Sequence, residues 1–168
     1  MKKILAVLVV LFFVGGCAVN PIPNGYTGPT AMIKDFVGVE PEEHPGTPMF
    51  YLSKVDGQDV PDSESATRLK NNGRGPSMDP ETVERLVPAR KMKLTLVARN
   101  VHAAPIQEIF HSMRGNAYKA EGTVDFDPKP DGVYIVKGTI GPSGTAVWLE
   151  DFRSNEIVTQ KIEAPQKK

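Results

Sequence analysis

Two kinds of hydrophobic patterning divide the chain. Residues 4–14 form an unbroken apolar run, whereas beyond residue 30 apolar and polar side chains alternate. Alternation is the signature of strands with one face buried. Its cleanest instance is residues 118–126. Tyr118, Ala120, Gly122, Val124 and Phe126 fall on one face there, and Lys119, Glu121, Thr123 and Asp125 fall on the other. Pro128, Pro130, Asp131 and Gly132 separate this run from a second at 133–140. Gly141, Pro142, Ser143 and Gly144 lead to a third at 145–150, and Ser154 and Asn155 to a fourth at 156–162. Four runs joined by short turn-rich loops predict an antiparallel meander.

The first half carries further strands with longer connections. Residues 31–39 are rich in strand formers, although Lys34 and Asp35 stand in their middle. Residues 49–55 end in the turn pair Asp56-Gly57. In residues 91–101, introduced by Pro88-Ala89, Met92, Leu94, Leu96 and Ala98 alternate with Lys91, Lys93, Thr95 and Arg99. Two stretches break the pattern. Residues 64–80, with Asn71, Asn72, Gly73, Gly75 and Pro76, predict a long exposed loop. In residues 104–113, Ile106, Ile109, Phe110 and Met113 recur at helical spacing after Pro105, which predicts one short helix packed on a sheet.

The expected fold is therefore all-β, a β-sandwich of Ig-like or Greek-key type with one short helix; the alternative is a small open β-barrel. Tyr51, Leu94, Leu96, Phe110, Val124, Phe126, Ile135 and Trp148 are its expected core.

The amino-terminal run reads differently. Lys2 and Lys3 precede eleven apolar residues, and Gly15, Gly16 and then Asn20-Pro21 end the run. A basic start and an apolar segment of this length fit a signal-peptide helix. An uncleaved anchor helix is the alternative, but crossing a bilayer takes ~20 apolar residues. The residues Phe13-Val14-Gly15-Gly16-Cys17 resemble the lipobox of bacterial lipoproteins, with Val14 in the place usually held by Leu. That resemblance implies cleavage between Gly16 and Cys17, and diacylglycerol on the Cys17 thiol. It also implies acylation, typically by palmitate, of the new amino terminus. Ala18 follows the cysteine where an Asp would favour retention at the inner membrane. The resemblance thus points to the inner leaflet of the outer membrane, facing the periplasm. Each buried acyl methylene contributes about 0.8 kcal/mol, so two or three chains on one residue hold firmly.

This organisation assigns residues 1–16 to a cleaved signal peptide and 17–29 to the lipidated terminus and a flexible tether. Residues 30–164 form the β domain and 165–168 a tail. Asn20, Pro21, Pro23, Asn24, Gly25, Gly28 and Pro29 give the tether no period of either kind. About ten extended residues reach ~35 Å, enough to lift a domain clear of lipid headgroups.

Composition narrows the function. The 168 residues hold 20 basic and 20 acidic side chains, which excludes an electrostatic nucleic-acid binder. Losing residues 1–16 removes Lys2 and Lys3 and leaves the mature chain acidic by two charges. The 15 Gly and 15 Pro divide between the tether and the turns of the domain. A single cysteine excludes an intrachain disulfide and a cysteine-based zinc site.

Candidate chemistry is sparse. Residues 125–136 share some acids with a calcium loop, but Lys129, Pro130 and Val136 stand where the loop needs an acid or amide, Gly and Glu. A stiff hairpin with solvating carboxylates explains them better. His44, His102 and His111 do not form the His-Glu-x-x-His pattern, and Ser143 sits in a turn, not in a Gly-x-Ser-x-Gly elbow. No catalytic residue, metal ligand or cofactor is assigned. The remaining candidate binding surface is the basic strand face of Arg90, Lys91, Lys93 and Arg99, with Trp148 and Tyr134 as an aromatic hot spot if they are exposed side by side. A solvated strand face guarded by cations is the plainer account of the four basic residues.

The segment Val55-Asp56-Gly57 with Val87-Pro88-Ala89-Arg90, and the stretch Gly122-Thr123-Val124 to Ala146-Val147-Trp148-Leu149-Glu150-Asp151, resemble uncharacterised proteobacterial envelope lipoproteins. No activity comes with that resemblance. The chain is expected to be a membrane-anchored, non-enzymatic binding or structural module whose partner is an envelope protein or peptidoglycan. A small-ligand or metal carrier and an envelope hydrolase are the alternatives.

Overall fold

A computed structural model describes residues 18–39, 46–75, 78–102 and 118–164. Gly16 and Cys17 of the lipobox, and the helix expected at 104–113, lie outside the described residues. The chain runs through strands β1 (Thr30–Lys34), β2 (Phe36–Val37), β3 (Thr47–Val55) and β4 (Gln58–Asp59), then helix α1 (Ser63–Lys70). Strands β5 (Glu84–Pro88), β6 (Met92–Val101), β7 (Lys119–Phe126), β8 (Val133–Thr139), β9 (Ala146–Asp151) and β10 (Ile162–Glu163) follow. They form two sheets, ordered β10-β9-β8-β1-β5 and β2-β3-β6-β7, with β4 paired to β3. The fold is an all-β sandwich and not a closed barrel.

The alternation that predicts the strands also fills the space between the sheets. Leu94, Leu96 and Ala98 of β6 and Ala120 and Val124 of β7 face Ile33, Val87, Val136, Val147 and Leu149 of the other sheet. Burying each large aliphatic side chain contributes about 1.5–3 kcal/mol. Phe126 and Tyr134 meet edge to face across the sandwich, with centroids 4.8 Å apart. The sheets close together at β7 and β10, where Gly122 lets Ile162 pack in: a Cβ on Gly122 would stand 2.8 Å from Ile162 Cγ2.

Three expectations need correction. The four carboxy-terminal runs do not form one meander. β7 pairs with β6, while β8 pairs antiparallel with β9 and parallel with β1. Pro128 and Pro130 stiffen the β7–β8 connection, and the chain crosses between sheets there. The fourth run contributes only an isolated bridge at Ile157 and the two residues of β10.

The run at 31–39 is also two strands in different sheets, β1 and β2, with Asp35 at the crossing. Finally, the stretch expected to be a loop from residue 64 begins with α1. Asp62 caps this helix by accepting from the Ser65 amide at 2.8 Å, Glu64 lies in its first turn, and Arg68 and Lys70 lie in its last. Such a cap contributes about 1 kcal/mol. Only Ser63 and Thr67 are buried on α1, so the helix has no apolar stripe to betray it. Asn71 closes the helix, and the Gly and Pro that suggested a loop come after it.

α1 covers part of the outer face of the second sheet, where Glu64 meets Tyr51 and Arg99. Met49, Tyr51, Val97 and Val101 form a small second core there.

Candidate functional site

Where β3 turns into β4, Asp56 and Gly57 both have positive φ, 50° and 81°. This is the backbone that a tight hairpin turn with the right-handed twist requires. The turn forms one wall of a cleft of about 270 Å³. Val55 and Val60 line it from the hairpin, Arg90 from the β5–β6 turn, and Val19, Asn20, Pro21 and Pro23 from the amino-terminal segment.

That segment lies along the domain. The Val19 amide donates to the Asp59 carbonyl at 2.8 Å, so the edge strand β4 gains a partner. Asn20 Oδ1 accepts from the Ile22 amide at 3.0 Å, and the Tyr26 hydroxyl donates to the Pro29 carbonyl at 2.8 Å. Gly28 permits this hook, because a Cβ there would stand 2.5 Å from the Tyr26 hydroxyl oxygen. The Ala89 amide donates to the Pro29 carbonyl at 2.8 Å. The segment expected to be a flexible tether is thus fastened at both ends. Its prolines cannot donate, but the carbonyls and side chains around them make turns that fit the hairpin end.

The electrostatics of the cleft are self-contained. Asp56 accepts from the Lys93 amide at 2.9 Å and from Arg90 Nη2 at 2.8 Å. The Lys93 amide, helped by Arg90 and against partial burial, holds the Asp56 carboxyl below its usual range. Lys54 pairs with Asp59 at 2.8 Å on the neighbouring strand. The cleft has apolar walls and a paired rim, and the chain's own amino-terminal segment is one of those walls.

The sequence-predicted surface is divided by the fold. Arg90, Lys91 and Lys93 lie together at the hairpin end, with Lys91 and Lys93 exposed. Arg99 is not continuous with them: Thr95 and Val97, 9% and 3% exposed, intervene on the same strand face. Arg99 instead binds Glu64 of α1 at 3.2 Å. Glu64 also accepts from the Tyr51 hydroxyl and from Arg68 Nε at 2.9 Å. Burial pushes Glu64 up, yet Tyr51, Arg99 and Arg68 outweigh it and hold the carboxyl below its usual range. Burial and the adjacent Glu64 raise the Tyr51 hydroxyl far above its ordinary value.

Tyr134 and Trp148 do not stand side by side. Tyr134 points into the core, 3% exposed, and its hydroxyl oxygen accepts from the Lys129 amide at 3.0 Å. Trp148 is paired in register with Lys137 on the opposite face of that sheet. It is only 9% exposed, donates Nε1–H to Glu150 at 2.7 Å, and lies under the Lys161 ammonium 4.3 Å from the ring centre. The reason is parity: on paired strands Tyr134 sits opposite Asp151, while Trp148 is three residues away.

Of the histidines, His102 is buried, and His44 and His111 lie outside the described residues. Among the described residues no three His, Cys, Asp or Glu side chains converge as metal ligands.

Sequence reasoning missed the polar clasp at the sheet crossing. Arg85 of β5 donates to both oxygens of Asp35, at 2.8 and 2.6 Å. Leu52 of β3 and Ser63 of α1 add their amides. The one signal was an acid in the middle of an apolar run. No family model, no curated protein and no solved structure matches the chain.

Proposed function

We propose that the chain is a lipid-anchored protein of the bacterial cell envelope. Residues 1–16 are its signal peptide, Cys17 carries the lipid, and the sandwich faces the periplasm from the inner leaflet of the outer membrane. The observation that carries this reading is the order of Lys2 and Lys3, eleven apolar residues, and Gly15-Gly16-Cys17 ahead of a β-sandwich. Among the described residues no helix is long and apolar enough to cross a membrane.

The sandwich serves as a non-enzymatic module that binds an envelope protein or peptidoglycan. In support, Asp35, Glu64 and Tyr51 are bound to structural partners, and neither they nor the buried His102 line the cleft. The cleft's own carboxylate, Asp56, is engaged by Arg90 and a backbone amide.

Replacing Cys17→Ser is expected to abolish acyl labelling and leave the precursor uncut after Gly16. Normal processing of that variant overturns the anchor. Crosslinking in intact cells is expected to recover a protein or cell-wall partner, and recovery of neither counts against the binding role.

A further inference from the structure

We infer that the hairpin end of the sandwich, carrying the β3–β4 and β5–β6 turns, is held directly against the lipid surface in which the anchor sits. This inference rests on the lipid at Cys17. A free tether across residues 17–29 would let the domain stand ~35 Å from the bilayer. The structure shortens that distance sharply, because the Val19 amide is already bound to Asp59 of β4. Only Ala18 separates Cys17 from Val19, so the two Cα atoms are at most about 7 Å apart. The strap continues through Pro21 and Pro23 along the cleft and is fastened again from Pro29 to Ala89. The turn that bears Ala89, Arg90 and Lys91 is therefore one of the parts of the domain nearest the anchor.

Charge does not set this arrangement. Arg90 is paired with Asp56 and Lys54 with Asp59, each at 2.8 Å, and although Lys91 and Lys93 are exposed beside them, the strap needs no attraction from these cations to reach its place. The covalent length of the strap places the surface, so the apposition requires no anionic lipid and does not weaken with salt. The opposite end of the sandwich, with the turn at 141–144, is set back by the seven residues of β8, about 23 Å. A partner bound by this protein would accordingly meet the far end or the sheet faces, not the hairpin end.

The test uses the full lipidated chain, reconstituted in phosphatidylcholine vesicles that carry a headgroup-attached spin-label quencher. Lipid on Cys17, the single cysteine, leaves no free thiol, so Lys91→Cys or Ser143→Cys supplies the sole labelling site. A fluorophore at position 91 is expected to lose most of its emission and one at 143 to keep it, at low and high salt alike. Inserting about ten Gly and Ser residues between Ala18 and Val19, roughly 35 Å of added reach, is expected to restore the emission at 91. Equal quenching at the two positions, or emission at 91 that the insertion leaves unchanged, overturns the inference and leaves the anchor standing. A chain that mass spectrometry finds without acyl groups overturns the anchor and this inference together.

Discussion

Arg85 grips Asp35 with two parallel hydrogen bonds inside the sandwich, and both side chains are almost fully withdrawn from water, at 5% and 0% exposure. The pair ties β5 to the point where the chain leaves one sheet for the other. Leu52 and Ser63 bind the same carboxylate, so β3 and α1 share the junction.

Removing one partner of such a pair strands a charge. Arg85→Ala is expected to cost about 3–5 kcal/mol in chemical denaturation. A loss below about 1 kcal/mol would show that water reaches Asp35 and that the clasp is not buried in solution. Burial raises the Asp35 carboxyl, and Arg85 is the largest influence opposing that rise. Without Arg85 the folded state holds its proton to higher pH than the unfolded chain does. The variant's stability is therefore expected to fall as pH rises above the ordinary aspartate value.

Glu64 gives the opposite sign. Tyr51, Arg99 and Arg68 hold its carboxyl below the ordinary glutamate value of 4.5 despite burial. The stability it contributes is full above that value and is lost as pH falls through the lower folded-state value. Glu64→Gln is expected to cost about 1–3 kcal/mol at neutral pH. The gap between the two proteins should narrow in acid, read from urea melts along a pH series. A gap that stays constant down to strong acid would refute the assignment.

Gly138 of β8 leaves room for the Phe50 ring. A Cβ there would stand 2.5 Å from Phe50 Cδ1 and would also press on the Ala146 carbonyl. Gly138→Ala is expected to destabilise by about 1–3 kcal/mol through overpacking, measured by thermal melting. An unchanged midpoint would mean that the two sheets are farther apart than described.

The strands themselves were legible because alternation is a local property. Met92, Leu94, Leu96 and Ala98, and Ala120, Val124 and Phe126, turn inward as their spacing requires. The turn at Asp56-Gly57 was legible for the same reason, since its chemistry lies within the two residues that bend. Alternation tells which side of a strand a residue occupies. It does not tell which strand lies alongside, nor whether the second side will also be covered. Val97 and Val101 stood on the polar side of β6 and still became buried, in a cluster with Met49 and Tyr51 of β3 against which Val37 and Met78 pack.

The candidate site was less legible. Lys91, Lys93 and Arg99 read as one basic face because they share an expected strand and a parity, with Arg90 beside its start. Contacts distant in sequence divided it, sending Arg90 to Asp56 and Arg99 to Glu64. Tyr134 and Trp148 looked like one aromatic pair and lie on opposite faces of a sheet.

By itself, then, the sequence determined an all-β domain preceded by a basic start and an apolar run, since strand period, turn residues and apolar run length are all short-range properties. Only the tertiary structure decided that the segment 18–29 is a strap along the domain and that Asp35 joins the sheets. Both depend on a backbone amide or a guanidinium supplied from far along the chain, Val19 to Asp59 and Arg85 to Asp35, and no local pattern records which distant group will come to satisfy a polar atom.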